Sequence, residues 1–414
     1  MKPVGILSAS GGMDVLSPET EIRNDCVRSA KNVVIHRNGA FDRRDAAERV
    51  VTVTRPHSFW NSRDGAMTLY VAGGALYRLT GSGSSLVSTQ LATGLWEGYA
   101  RYTEMGGNVY VSAGKILRVA SDGTVTTPGV CSLFGFAPTL TAIAGGLRAG
   151  IYGVAFSAVT ATGEESGMSD VSWISLTSAG GISIALPGAA PAGATHYRVY
   201  RTGTNDEILR LADTIPVATS TTIVGGSVGR EEKTWPLDLL PAGDELKAHG
   251  GRLWSAVGGF LFFDEALMPG LYDPRKNFFA FGEDIRMVQP VEDGIFVGTD
   301  SVVWFLDGLK PSEMRRRQVA ANGAARHSSM LVDANALDGR AIDTTKPCAV
   351  WLSPAGYQIG KPGGTVLSPQ ADKISLSDIE RAPSVAFTRG GVKQIVSALE
   401  AVTLGNGGAS DSTP

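Results

Sequence analysis

Apolar residues in this chain fall in short runs divided by glycine, which is a spacing for strands and turns. Arg252-Leu253-Trp254-Ser255 leads into Gly258-Gly259 and returns as Phe260-Leu261-Phe262-Phe263. Ile295-Phe296-Val297 leads into Gly298-Thr299-Asp300-Ser301 and returns as Val302-Val303-Trp304-Phe305-Leu306. Aromatic and β-branched residues suit a pleated surface, and glycine supplies the positive φ of a tight turn, so each unit predicts a β-hairpin. Leu253 and Ile295 lie 42 positions apart. A recurrence of about 40 residues with strands in every period predicts the blades of a β-propeller.

Earlier and later units fit the same period. Leu69-Tyr70-Val71, Gly73-Gly74 and Leu76-Tyr77-Arg78-Leu79 align with Val109-Tyr110-Val111, Gly114 and Ile116-Leu117-Arg118-Val119, 40 positions on. Weaker copies occur at Val350-Trp351-Leu352 with Gly356-Tyr357-Gln358-Ile359, and at Val392-Lys393-Gln394-Ile395-Val396. At the start, Val33-Val34-Ile35-His36 and Phe41-Asp42-Arg43-Arg44 flank Asn38-Gly39, a strong hairpin signal. The aromatic pairs Phe262-Phe263, Phe278-Phe279 and Trp304-Phe305 are expected in the core.

Between about Pro138 and Pro236 the pattern changes. Ala149–Thr160 alternates with period two, and short strands are predicted at 171–176, 182–186, 195–201, 207–211 and 221–224. Roughly seven strands in about 100 residues predict an immunoglobulin-like sandwich. GIYGVAFSAVTATGEES and THYRVYRT resemble fibronectin type III modules. The expected fold class is therefore mainly β, a β-propeller with an inserted immunoglobulin or fibronectin type III-like β-sandwich. Its parts are an N-terminal loop and first blades (1–137), the sandwich insert (138–236), the remaining blades (237–402) and a flexible C-terminal tail (403–414).

Composition narrows the function. With 414 residues, 43% hydrophobic and 19% charged, the chain can bury a large core or several. Its 52 glycines imply many turns and few helices. With 37 basic and 40 acidic residues the net charge is −3, so no overall basic field holds nucleic acid. Cys26, Cys131 and Cys348 are odd in number and widely spaced, which predicts buried free thiols. Neither a secretory signal nor a membrane-length apolar run is present, which predicts a soluble protein made in the cytoplasm.

Candidate chemistry is sparse. No GxSxG, HExxH, GxxxxGK[ST] or GxGxxG occurs, and His36, His57, His196, His249 and His327 are scattered. Asp333–Gly339 has calcium-loop character but lacks the closing glutamate, and reads as an Asx-rich turn. No cofactor, metal or catalytic residue is expected. The sharpest basic clusters are Arg315-Arg316-Arg317 and Arg43-Arg44. Guanidinium forks pair with carboxylates or phosphates, so these five are candidates for a subunit interface or DNA contact.

The opening GGMDVLSPETEIRNDCVRSAKNVVIHRNGAFDRRDA resembles the N-terminal segment of tail tubular, or nozzle, proteins of short-tailed bacteriophages, at Ser17, Pro18, Ala30, Asn32, Val33, Gly39, Arg43 and Arg44. The block from Gly251 to Gly308 is similar to the central blades of that family at Arg252-Leu253-Trp254, Asp273-Pro274, Val291–Val297 and Leu306-Asp307-Gly308. The resemblance implies a non-enzymatic virion protein, assembled in the host cytoplasm. Its implied form is a homohexameric ring below the adaptor or portal, carrying tail fibres or spikes, with genomic DNA passing through the channel. The alternatives are a hub or fibre-attachment protein of the tail, and a propeller that binds or cleaves carbohydrate.

Overall fold

The computed structural model describes residues 9–18, 20–30, 33–36, 38–43, 52–186, 189–337, 343–377, 379–389, 392–400 and 403–404. Among them the chain is mainly β, with two single-turn 3-10 segments and no α-helix. Five four-stranded antiparallel meanders recur. Sheet I spans His57–Ala92, sheet II Arg101–Thr126, sheet III Glu245–Ala280, sheet IV Met287–Ala320 and sheet V Met330–Leu367. The expected hairpins are the middle strands: Arg252–Val257 pairs with Phe260–Phe263, and Gly294–Gly298 pairs with Val303–Asp307.

Turn chemistry sets the register. Gly250 and Gly251 have φ of 59° and 73°, two successive positive values that a side chain strains to adopt, and they close Glu245–His249 onto Arg252–Val257. A second glycine serves packing. A Cβ on Gly360 would come within 2.7 Å of Phe296 and 2.8 Å of Trp351, so sheets IV and V approach only because it has none.

Consecutive sheets pack face to face. Leu69, Val71 and Leu76 of sheet I share a core with Val109, Val111 and Leu117 of sheet II. Tyr110 and Ile116 of sheet II meet Leu246 and Leu253 of sheet III. Trp254 and Leu261 meet Val288 and Ile295 of sheet IV, and Phe296 and Phe305 meet Ala349 and Trp351 of sheet V. The first strands of sheets II to V lie side by side in chain order, followed by Ser384–Arg389. This is a propeller-like arrangement. Ser384–Arg389 and Val392–Ser397 form a hairpin of two strands, with Ile395 packed on the sheet V core.

In chain order, residues 139–224 fall between sheets II and III. They form a three-stranded sheet (Thr139–Leu147, Gly180–Ala185, Thr221–Val224) and a four-stranded sheet (Gly150–Thr160, Ser172–Leu176, Ala194–Arg201, Arg210–Pro216). Both line one core, where Ile182, Ile184 and Val224 face Tyr152, Val154, Phe156, Tyr197 and Val199. Thr139–Leu147 is a strand that the apolar pattern does not mark. The strand expected at 207–211 starts instead at Arg210, because the Asp206 carboxylate accepts the backbone N–H groups of Glu207 (2.8 Å) and Ile208 (3.3 Å) and holds them in a turn.

Other expectations need correction. Cys26 and Cys348 are buried free thiols, but Cys131 is exposed on a connector whose neighbours Val130 and Leu133 point inward. Phe263 and Phe305 are core, whereas Phe278 is 38% exposed, since alternation sends adjacent residues to opposite faces. Thr403-Leu404, expected in a flexible tail, pairs with Leu376-Ser377; residues 405–414 lie outside the described residues. In the Asx-rich segment Ala334–Ala336 makes a 3-10 turn, and Asp338 and Gly339 lie outside the described residues.

Candidate interaction surfaces

The arginine run is a strand. Arg315–Ala320 is the outer edge of sheet IV, and its alternation sends neighbouring guanidinium groups to opposite faces. Arg316 lies over Trp304 at 4.8 Å and Phe281 at 5.5 Å, and donates to the Ala280 carbonyl oxygen of sheet III. Arg317 lies over Phe305 at 5.2 Å and donates to the Gly363 carbonyl oxygen of sheet V. Two of the three arginines thus bridge sheet IV to its neighbours by cation–π and hydrogen-bond contacts. Arg315 is exposed and stands opposite Asp307 in the strand register. Arg43 is exposed in the hairpin of Val33–Ile35 with Phe41–Arg43, opposite Val33. Arg44 lies outside the described residues. No hydrogen bond, ion pair or ring contact joins Arg43 to the run at 315–317 among the described residues.

A polar cluster that no sequence pattern marks lies at the N-terminal ends of the side-by-side first strands. Arg101 Nε donates to the Asp244 carbonyl oxygen at 2.7 Å and lies 3.6 Å from the Glu245 carboxylate, joining sheets II and III. Arg326, entering sheet V, is 3.6 Å from the Asp244 carboxylate. Arg381, before the last hairpin, stacks on Tyr99 at 5.2 Å and pairs with Glu380 and Glu400 at 3.6 Å each. Tyr99 also meets His327 at 4.9 Å and His57 at 6.0 Å, edge-on. Residues from both ends of the sheet series therefore contact one tyrosine. His327 and Ser58 sit at φ of 66° and 55°, a costly region for residues with a Cβ, held by this surrounding network. From His57 to Glu400 the participants span more than 300 positions, so no local spacing signals them.

Chemically this cluster is a clamp. His57 Nδ1 lies 2.9 Å from Ser58 Oγ, but that oxygen also accepts the Ala100 N–H at 2.9 Å, and no carboxylate bonds to His57 among the described residues. A serine nucleophile needs a free hydroxyl, an oriented base and an acid behind it. Burial depresses the His57 pKa, favouring the neutral ring. Deeper along the same strands, Lys247 Nζ reaches Gln289 Oε1 at 3.4 Å, and burial lowers the lysine pKa. No group of three or more metal-binding side chains occurs among the described residues.

Asp264 and Glu265 are adjacent carboxylates with opposed shifts. Burial pushes Asp264 up to about 7, while at Glu265 burial is outweighed by hydrogen bonds from Asn277 and Lys276 together with the charges of Lys276 and Arg252, so its pKa is lowered. Such divergence can mark an acid and base pair. Here both Asp264 oxygens accept backbone N–H groups, from Leu253 (2.9 Å) and Gly270 (3.0 Å), inside the fold. The residue ties the loop 264–270 to sheet III.

No protein-family model matches the chain, and no curated protein sequence does. Solved structures give faint similarity. The extracellular domain of the putative one component system BT4673 from B. thetaiotaomicron is 11% identical at a TM-score of 0.25, over 90% of this chain and 48% of its own. This chain thus spans about half of that domain. AztD from Citrobacter koseri is 13% identical at a TM-score of 0.28, over 80% of this chain and 87% of its own. The WD40 beta propeller domain of Doa1 is 8% identical at a TM-score of 0.24, over 77% and 85%. β-Propellers are thus among the structural neighbours, and at these scores the similarity says nothing of function.

Proposed function

We propose that this chain is a structural subunit of a short-tailed bacteriophage tail. In this reading it is a nozzle, or tail tubular, protein whose copies form a homohexameric ring with a channel for DNA ejection below the adaptor. The observation that carries the reading is architectural. A propeller-like series of meanders is interrupted, between sheets II and III, by a pair of sheets with its own core. We read that pair as a fibronectin type III-like module inserted into a propeller, with a contact role. The opening segment resembles the same family, and the clamp at Tyr99 favours a scaffold over a catalyst, because its serine, histidine and carboxylate groups are engaged within the cluster, although Arg101 Nη2 and Arg381 Nε are buried without partners.

Within this reading the arginines divide. Arg316 and Arg317 hold sheets together, which leaves Arg43, Arg44 and Arg315 for subunit or DNA contact. Six copies around an axial channel would be met by an adaptor above and by fibres or spikes at the sides. A net charge of −3 suits a channel that must release a polyanion.

The test is imaging of the tail assembly that carries this chain, reconstructed without imposed symmetry. Six copies ringing a channel below the portal are expected. Another copy number or place in the tail would replace the nozzle with a hub or fibre-attachment role. Absence from virions would overturn the tail reading and make glycan binding and cleavage the assays to run.

A further inference from the structure

The two ends of the sheet series meet at one residue. Among the described residues, the contacts of Tyr99 with His327 and with Arg381 are all that joins residues 52–126 to residues 320–400 by hydrogen bond, ion pair or ring contact. No apolar core spans this junction. Leu69 and Val111 pack within sheets I and II, and Leu352 and Ile379 pack among sheet V and the segment before the last hairpin. Every interior junction, by contrast, has a core shared by its two sheets. The junction at Tyr99 is therefore where the series parts most easily.

On the sheet I side Tyr99 is braced by His57 and Ser58. Ser58 Oγ accepts the Ala100 N–H at 2.9 Å, which leaves its own hydrogen for His57 Nδ1, also at 2.9 Å. Nδ1 is then the lone-pair nitrogen of a neutral ring. His57 meets Tyr99 edge-on at 6.0 Å. Protonation of Nδ1 turns a second N–H onto Ser58 Oγ, leaves the hydroxyl hydrogen without its acceptor, and brings a cation to a tyrosine that already carries Arg381 at 5.2 Å. The nearby carboxylates are engaged: Glu380 and Glu400 with Arg381, Asp244 with Arg326 and Glu245 with Arg101, each at 3.6 Å. Glu97 is exposed on the loop that carries Tyr99. None of these charges offsets the burial that lowers the His57 pKa. Ser58 at φ of 55° and His327 at φ of 66° add backbone strain that opening relieves.

We propose that Tyr99 is an acid-released latch: protonation of His57 frees the tyrosine, and sheets I and II swing away from the last hairpin while every sheet stays folded. In the open form His57 regains the ordinary histidine pKa of about 6.5, above its value in the closed form. The closed form is thus fully favoured above about pH 6.5 and is lost as pH falls below it. The latch belongs to the single chain and is independent of the tail reading.

The test is the distance across the junction in the full-length chain. Spin labels are placed at Val87→Cys on sheet I and Val385→Cys on the last hairpin, both sites 57% exposed, with the exposed Cys131 removed as Cys131→Ser. Double electron–electron resonance should show this distance lengthening by about 5 Å or more from about pH 7.5 to about pH 5.5, with the far-ultraviolet circular dichroism unchanged. His57→Asn keeps an acceptor and cannot be protonated, so it should stay short at both pH values. Tyr99→Ala should be long at both. A distance that does not change with pH, a lengthening that persists in His57→Asn, or a short distance in Tyr99→Ala would overturn the latch. Loss of the β dichroism at the lower pH would mean global unfolding and overturn it as well.

Discussion

The meanders and the two facing sheets bury strands in different ways. In the meanders an inner strand is covered on both faces by neighbouring sheets, so burial runs without a break along Cys348–Ser353 and Gly294–Gly298, whereas the outer strands Val87–Ala92 and Arg315–Ala320 are mostly exposed. In the facing sheets, one side of many strands meets water, and Ser172–Leu176 and Thr221–Val224 alternate. Gly150–Thr160 is the exception, buried from Tyr152 to Val159, because Met168 and Tyr200 pack on its outer side at Ala155. A continuous apolar run thus reports cover on two faces, and an alternating one reports cover on one.

Substituting one tryptophan in each region should break the comparison most visibly. Trp351 is fully buried between sheets IV and V, 5.5 Å from Phe296, whereas Trp173 is 54% exposed on the outer face of its sheet. Trp351→Ala should lower stability by about 3–5 kcal/mol in urea denaturation. Trp173→Ala, measured alongside it, should cost under about 1 kcal/mol. Equal losses would mean that the outer face of the two-sheet segment is covered.

Asp264 probes the same difference through pH. Its folded pKa of about 7 lies above the unfolded value near 4, so between these the folded chain holds a proton that the unfolded chain has released. That contribution to stability is complete below about pH 4 and is lost as pH rises through 7. Asp264→Ala should remove this slope, and should also cost about 1–3 kcal/mol for each backbone N–H left unpaired. Melting curves from pH 4 to pH 8 would check it, and an unchanged slope in the variant would assign the pH dependence elsewhere.

A smaller effect than those at Trp351 and Asp264 is expected at the edge of sheet IV. Arg316→Ala removes a cation from two aromatic rings and a bond to sheet III, worth about 1 kcal/mol at a partly exposed site. Arg316→Lys should recover only part of this, since an ammonium lacks the planar fork. Full recovery in denaturation would show that charge alone matters there.

The repeated meanders were legible because their signal is local. Glycine pairs between aromatic runs specify a hairpin, and the 40-residue spacing specifies its recurrence. First strands such as Arg101–Met105 and Glu245–His249 were not legible. They mix charged, aromatic and aliphatic residues, and are strands because they line up beside one another at the centre of the series. The arginine run illustrates the same limit. Its sequence advertises exposed charge, yet Arg316 and Arg317 are placed by rings and carbonyl groups on sheets III, IV and V.

By itself, then, the sequence determined the strand class, most turns and the change of pattern near residue 138, because each depends on neighbours within a few positions. Only the tertiary structure decided which charges are used up and which face solvent. That depends on groups far apart in the chain, as where Tyr99 meets His327 and Arg381, or where Lys233 and Leu267 line one groove. The energy of a charge is set by what lies within a few ångströms of it, which local order along the chain does not encode.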